Sequence, residues 1–211
     1  MIAPRVAPLG DSALTVTWPG GVSPATHRQV RWINSLLEGQ PEVKDLVPSY
    51  TTLSVFYDPL HTDYQTISRL VHAMLKRAPG DPPAGTAREF TIPVVYDGAD
   101  LAEVAQRTGR SADDVVARHS GRWYDVSLVG FTPGWAYLGE LDASLALPRR
   151  ASPRQRVPRG SVAIAGKQTG VYPFAVPGGW HLIGRTETVM FDTSHGALLR
   201  VGDRVRFEPV R

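Results

Sequence analysis

Cysteine is absent from the 211-residue chain, which excludes disulfides, zinc–thiolate sites and a thiol nucleophile. No apolar run approaches the roughly 18 residues that a membrane span needs. The N-terminal stretch MIAPRVAPLGDSA lacks the apolar core, about 7–15 residues long, of a secretion signal. The expected compartment is therefore the cytoplasm, with no membrane partner. A G-x-S-x-G elbow is missing, which argues against an ordinary esterase. His, Asp and Glu nowhere fall at metal-ligand spacing, so no metal site is expected. Internal repeats and low-complexity tracts are lacking as well.

What is present describes a globular protein. Hydrophobic residues make up 42% and charged residues 20%, outside the disordered range. The length suits one large domain or two small ones. Net charge is +3, and the surplus is local: RRASPRQRVPR, residues 149–159, carries five arginines and no acid. Such a stretch suits an anionic ligand, a nucleic acid or an acidic partner, unless it is a solvated loop.

Residues 13–18, ALTVTW, alternate as a strand does. A helix is expected from about Pro24 to Glu38, with Val30, Ile33 and Leu37 on one face. Two strand candidates follow, VKDLVPSY and TLSVFYD, then a helix from about Asp63 to Lys76. Its stripe is Ile67, Leu70, Val71, Met74 and Leu75. With FTIPVVY (90–96) as a further strand, the order is that of a ferredoxin-like split βαβ domain. The Pro/Gly-rich segment 78–87 reads as a linker between a domain at 1–86 and a second at 87–211. Two short helices are expected at 100–108 and 111–119, the second opening on a capping box at Ser111 and Asp114. The remainder reads as short strands between turns, namely VSLVG, VAIAG, HLIGRT, TVMF and VRFEPV, which suggests a small barrel.

The chemistry concentrates in two segments. VAIAGKQTGVYPFAVPGGWHLIGRT (162–186) contains Gly166-Lys167-Gln168-Thr169, reminiscent of a phosphate-binding loop. The spacing is wrong: Gly160 lies one position too far away, Gln168 replaces the hydroxyl residue, and Pro173 opposes the helix that must follow. The glycines instead allow tight turns and close approach to a ligand. Gln168 and Thr169 are candidates for reading an amide or carboxylate. GFTPGWAYLGELD (130–142) reads as a loop folded over a hydrophobic pocket. Tyr137, Tyr172 and Trp180 suit barrel packing or a pocket lining. His119, at the end of a short helix, is either a packing or capping residue or a proton-transfer group. A helix-turn-helix reading of 101–119 is disfavoured, because Asp113 and Asp114 would face phosphates; no nucleic-acid partner is expected.

GFTPGWAYLGELD, PRRASPRQRVPRGSVAIAGKQTGVYPFAVPGGWHLIGRT and GDRVRFEPV together closely resemble the family of the 5-oxoprolinase B subunit. That family is also labelled allophanate hydrolase subunit 1 and includes an inhibitor of a sporulation sensor kinase. The N-terminal half fits too, through Tyr57-Asp58-Pro59 and IPVVYDG. The resemblance implies an α+β protein with an N-terminal ferredoxin-like domain and a C-terminal cyclophilin-like β-barrel. It implies two partners, a carboxylase-like C subunit and an A subunit. It also implies ATP, with Mg2+, spent in cleaving the lactam 5-oxoproline to L-glutamate. His119 matches a family histidine and becomes the candidate acid/base. Phe131, Pro133, Gly134, Tyr137, Arg149, Arg150, Arg154, Gly166, Gln168, Thr169, Tyr172, Pro177, Gly178, Gly179 and Trp180 become the candidate substrate- or nucleotide-binding residues. The three arginines are expected to stabilise phosphoryl charge. Trp135, Glu140, Arg159 and His181 depart from the usual family pattern. The alternatives are a regulator of a histidine kinase and an allophanate or urea-pathway amidohydrolase subunit.

Overall fold

The computed structural model describes residues 3–77 and 87–211. The linker expected at 78–87 therefore lies, but for its last residue, outside the described residues. The chain divides into two compact units, Met1–Thr86 and Ala87–Arg211.

In the first unit, strands β1 (Arg5–Pro8) and β2 (Ala13–Thr17) precede helix α1 (Pro24–Leu37). Strands β3 (Asp45–Pro48) and β4 (Thr52–Phe56) and helix α2 (Tyr64–Leu75) follow. The sheet is antiparallel throughout, in the order β1-β2-β4-β3. Period-two alternation puts Leu14 and Val16 of β2, and Leu53 and Val55 of β4, in one core. Val30, Ile33 and Leu37 of α1 and Ile67 and Val71 of α2 meet them there, while Leu70, Met74 and Leu75 are half-buried against it. Ser23 caps α1 by accepting from the Thr26 amide at 3.1 Å, and Asp63 caps α2 from the Thr66 amide at 2.8 Å.

One expectation is corrected here. FTIPVVY does not join this sheet; the edge beside β2 is taken by β1, from the N-terminal side. Alternation marks a strand but says nothing of its partner.

That segment instead opens the second unit as β5 (Glu89–Val94). Helices α3 (Leu101–Thr108) and α4 (Ala112–Ser120) and strands β6 (Tyr124–Val129) and β7 (Ala136–Gly139) come next. Then come β8 (Arg154–Val157), β9 (Ser161–Ala165), β10 (Gln168–Val171), β11 (Val176–Gly178) and β12 (His181–Arg185). Two-residue strands β13 (Phe191–Asp192) and β14 (Gly196–Ala197) precede β15 (Arg204–Pro209). Seven strands form one sheet, in the order β12-β9-β10-β7-β6-β15-β5. A bridge between Val95 and Arg185, with N–H···O distances of 2.9 and 2.8 Å, nearly closes it into a barrel. All pairings are antiparallel except β5 with β15, which is parallel.

The barrel interior holds Ile92, Val126, Leu138, Val162, Ile164, Ile183, Val205 and Phe207, joined by Val104 of α3 and Val115 of α4. The capping box at α4 forms by half. Ser111 accepts from the Asp114 amide at 3.1 Å, but the Asp114 carboxylate turns to Arg110 and Arg118. Three local readings change. GFTPGWAYLGELD is loop only on either side of a strand, since 136–139 is β7. Gln168–Val171 is strand despite its glycine. TVMF is not a strand; only its Phe191 begins one, the two-residue β13.

Candidate functional site

Four adjacent strands, β12, β9, β10 and β7, form a barrel wall buried on both sides. Alternate residues of β9 divide between two clusters: Val162 and Ile164 face the interior, Ala163 and Ala165 the outside. The small outer side chains leave room for large rings. Trp135, Tyr172 and Trp180 fill it, with Tyr137 at their border. Trp135 is the hub, packed edge-to-face on Trp180 at 5.0 Å, Tyr172 at 4.6 Å and Tyr137 at 5.7 Å. Gly170 makes this stacking feasible, for a Cβ there would stand 3.1 Å from the Trp135 ring. A Cβ on Gly178 would meet the Tyr172 hydroxyl at 2.2 Å. Phe131, held at φ 75°, leans on Trp135 at 6.0 Å and is 68% exposed. A non-glycine residue in this region carries backbone strain, a pattern that gathers at functional surfaces. Pro133 and Pro177 are exposed nearby in sequence, and Gly134 fits tightly against Met190 and Phe191.

Polar groups gather at Tyr172. Burial raises its pKa, opposed by a hydrogen bond from the Trp180 amide and by the charge of Arg149. Arg149 is exposed and has no ion pair among the described residues. Its two companions are differently placed. Arg150 Nη1 donates to Asp100 Oδ1 at 2.9 Å and to Glu103 Oε2 at 3.1 Å. Arg154 Nη2 donates to the same Asp100 oxygen at 2.7 Å. Of the three arginines expected to meet phosphoryl charge, two are thus paired with acids about fifty residues earlier in the chain. Asp100 is 3% exposed. Burial pushes its carboxyl pKa up, but Arg154, the Leu182 amide and Arg150 outweigh this and hold it below the ordinary range.

Inside the wall the chemistry differs. His119 is 0% exposed and stacks on Phe207 at 4.5 Å. The Thr169 hydroxyl donates to the Ala163 carbonyl at 3.0 Å, so it accepts from His119 Nε2–H at 2.8 Å. Nδ1 is left as the acceptor for the Tyr96 hydroxyl at 2.6 Å, whose pKa burial raises. Both ring nitrogens are occupied, and burial pushes the His119 pKa down to about 3. The candidate acid/base is thus a fully buried residue, neutral and with both ring nitrogens hydrogen-bonded. Thr169 shares its fate. As neighbours on a strand, Gln168 and Thr169 point to opposite sides, so they do not read a ligand together. Gln168, half-buried, opens β10 opposite Ala165 and Gly139. Gly166, at φ 56°, makes the turn from β9 into β10.

The structure therefore brings Tyr137, Tyr172 and Trp180 together, with Gly178 and Arg154 paired at their edge, and sets His119 and Thr169 on the inner side of the wall. It adds Trp135 and Asp100, which sequence reading missed as site residues. The Arg150 amide donates to the Gly179 carbonyl at 2.8 Å, tying the arginine segment to the Pro177-Gly178-Gly179 turn. Among the described residues, no group of three or more His, Asp or Glu could hold a metal ion, and no helix is long and apolar enough to cross a membrane.

The model of the carboxyltransferase domain, subdomain C and D, matches residues 4–198. Curated relatives include the 5-oxoprolinase B subunit of Escherichia coli O157:H7, 40% identical over 207 residues, covering 95% of this chain and 94% of the relative. The protein of the same name in Bacillus subtilis (strain 168) is 35% identical over 220 residues, covering 96% and 91%. The crystal structure of TTHA0988 superposes with a TM-score of 0.84 at 38% identity, over 95% of this chain. This chain spans only 40% of that longer polypeptide. The urea carboxylase of Kluyveromyces lactis has a TM-score of 0.72 at 16% identity, over 99% of this chain and 22% of that one, a likeness of fold alone.

Proposed function

The chain belongs to the family of the 5-oxoprolinase B subunit, within the carboxyltransferase subdomain C and D class, and from that premise we propose that it is the B subunit of an ATP-dependent 5-oxoprolinase. The reaction opens the lactam of 5-oxoproline with water to give L-glutamate. The A and C subunits complete the enzyme, which acts in the cytoplasm. We read the first unit as ferredoxin-like with its outer strand drawn from the N-terminal side, and the second as a cyclophilin-like barrel. The sheet orders support both readings.

The geometric observation that favours the reading is the outer aromatic cluster with the Arg149 segment tied to it, the Pro148 carbonyl accepting from His181 Nε2 at 2.9 Å and the Arg150 amide donating to the Gly179 carbonyl at 2.8 Å. 5-Oxoproline is a small, flat ring bearing a carboxylate. Tyr137, half-buried at the border of the cluster, and the exposed Phe131 offer a surface for the ring, with Trp135 and Trp180 packed beneath as its floor, and Arg149 offers charge to the carboxylate. Gln168 supplies an amide at the border of the wall. Phe131, at the exposed end of the loop, and the Pro177–Gly179 turn would limit entry of water.

ATP supplies the activation that an unstrained amide needs before water can open it. Gly166 and Lys167 link two strands, whereas a phosphate cradle leads into a helix N-terminus. We therefore assign ATP and its Mg2+ to the assembled complex rather than to this chain alone. The test is reconstitution with the A and C subunits, measuring 5-oxoproline-dependent ATP hydrolysis together with glutamate formation. Glutamate formed only when this chain is present supports the reading. A complete, folded complex that makes no glutamate overturns it.

A further inference from the structure

Asp100 is the one acid on which the arginine segment converges. Its Oδ1 accepts from Arg150 at 2.9 Å and from Arg154 at 2.7 Å. Its Oδ2 accepts from the Leu182 amide at 2.7 Å, and its own amide donates to the Leu182 carbonyl at 2.9 Å. Although it stands at the N-cap of α3, the carboxylate makes no capping bond. Everything it holds leads to the basin. Arg154 pairs with Gly178 across β8 and β11, the Arg150 amide holds the Gly179 carbonyl, and Leu182 is itself part of the aromatic cluster. The turn before Trp180 is thereby fixed from two directions. Arg150 and Arg154 are thus both ion-paired, Glu103 being shared with Arg107, and among the described residues Arg149 alone of the three has no ion pair.

We propose that Asp100 is the positioning residue of this site: it spends Arg150 and Arg154 on holding the basin wall and leaves Arg149 as the cation that meets the substrate carboxylate. The inference rests on the reading above. It assigns different work to three arginines that are nearly adjacent in sequence. Arg149 acts by contact, whereas Asp100 acts through the wall that shapes Arg149's surroundings.

The test uses the reconstituted three-subunit complex. Asp100→Asn and Arg149→Ala should each raise the KM for 5-oxoproline at least about tenfold while kcat stays within about threefold, the mark of lost binding. Because both changes act on one binding arrangement, the double variant should fall well short of the product of the two effects. Asp100→Glu, which keeps the charge, should recover most of the loss. A purely structural Asp100 would instead give a multiplicative double variant or a KM within about twofold of the parent, and either result overturns the proposal. Should Asp100→Asn not fold, Arg154→Gln carries the same expectation with the Asp100 carboxylate still held by Arg150 and Leu182. A second readout needs no activity. In the chain labelled with 5-fluorotryptophan, Asp100→Asn should move the Trp180 fluorine resonance and leave those of Trp18 and Trp32 in place. If the parent complex makes no glutamate, the function fails while the resonance still decides the positioning role. An unmoved Trp180 refutes that role.

Discussion

The two sides of one barrel wall teach opposite lessons. On the inner side of β9 and β10, a histidine and a threonine look catalytic by residue type, yet every polar atom named there has a partner. On the outer side, aromatic rings look like packing, yet the segment tied to them carries Arg149, exposed and without an ion pair among the described residues. What separates the two is closure. His119, Thr169, Tyr96 and the Ala163 carbonyl form a chain with no free end. The outer side carries the exposed Arg149 on the segment tied to the cluster, and Trp135, whose indole Nε1 has no hydrogen-bond partner among the described residues.

The strongest way to break this contrast is His119→Ala. Removing the ring leaves a cavity against Phe207 and strands the Tyr96 and Thr169 hydroxyls, at a cost of about 3–5 kcal/mol. In urea denaturation the second unit should show the full loss, and activity should fall only as far as the folded fraction does. Wild-type stability with abolished activity would restore the acid/base role.

Gly178→Ala probes the outer side. The new methyl group would collide with the Tyr172 hydroxyl at a cost of about 2–3 kcal/mol. Activity should fall further than stability, because the displaced ring lines the basin. Equal effects on both would make the outer cluster a second core and nothing more.

Acid sharpens the contrast. The folded-state pKa of His119 is depressed to about 3, against about 6.5 when unfolded. Between those values the unfolded chain binds a proton that the folded chain does not. Stability therefore rises with pH through this window; the contribution is complete above about pH 6.5 and is lost as pH falls toward 3. From pH 7 to pH 5 the loss should be about 2 kcal/mol. His119→Asn should flatten this slope in melts of the isolated chain, and an unchanged slope would refute the assignment.

Gln168→Ala should produce the smallest effect on folding, within about 0.5 kcal/mol. It should still lower 5-oxoproline-dependent turnover, as loss of an orienting hydrogen bond does. Unchanged turnover removes Gln168 from the site.

Much of the fold was legible because its signals are local. The stripes of α1 and α2 and the alternation in β2 and β4 name their own buried residues. The strands β7 and β10 were hidden for a physical reason. Their wall is covered on both sides, so alternation of polar and apolar residues disappears, and glycine stands where a Trp135 ring must lie. The partner of β5 could not be read at all, since register is a long-range property. The site was half legible. The aromatic rings of the two segments meet in one cluster, but the pairing of the arginine surplus could not be read, because Asp100 lies 50 and 54 residues before the side chains it neutralises. The enclosure of His119 could not be read either, because residue type reveals nothing about burial.

The parallel pairing of β5 with β15 sets the order in which the protein can be made. Glu89 and Arg204 are partners across 115 residues. On the ribosome, every strand of the first unit's sheet has emerged once Phe56 is out, and α2 is complete at Leu75. The barrel's first strand must then wait, one edge unpaired, until its last strand is translated. Such delayed, non-local pairing slows folding and exposes an edge meanwhile. A nascent chain released early would thus carry a finished first unit and an open sheet, the form on which chaperones and proteases would act.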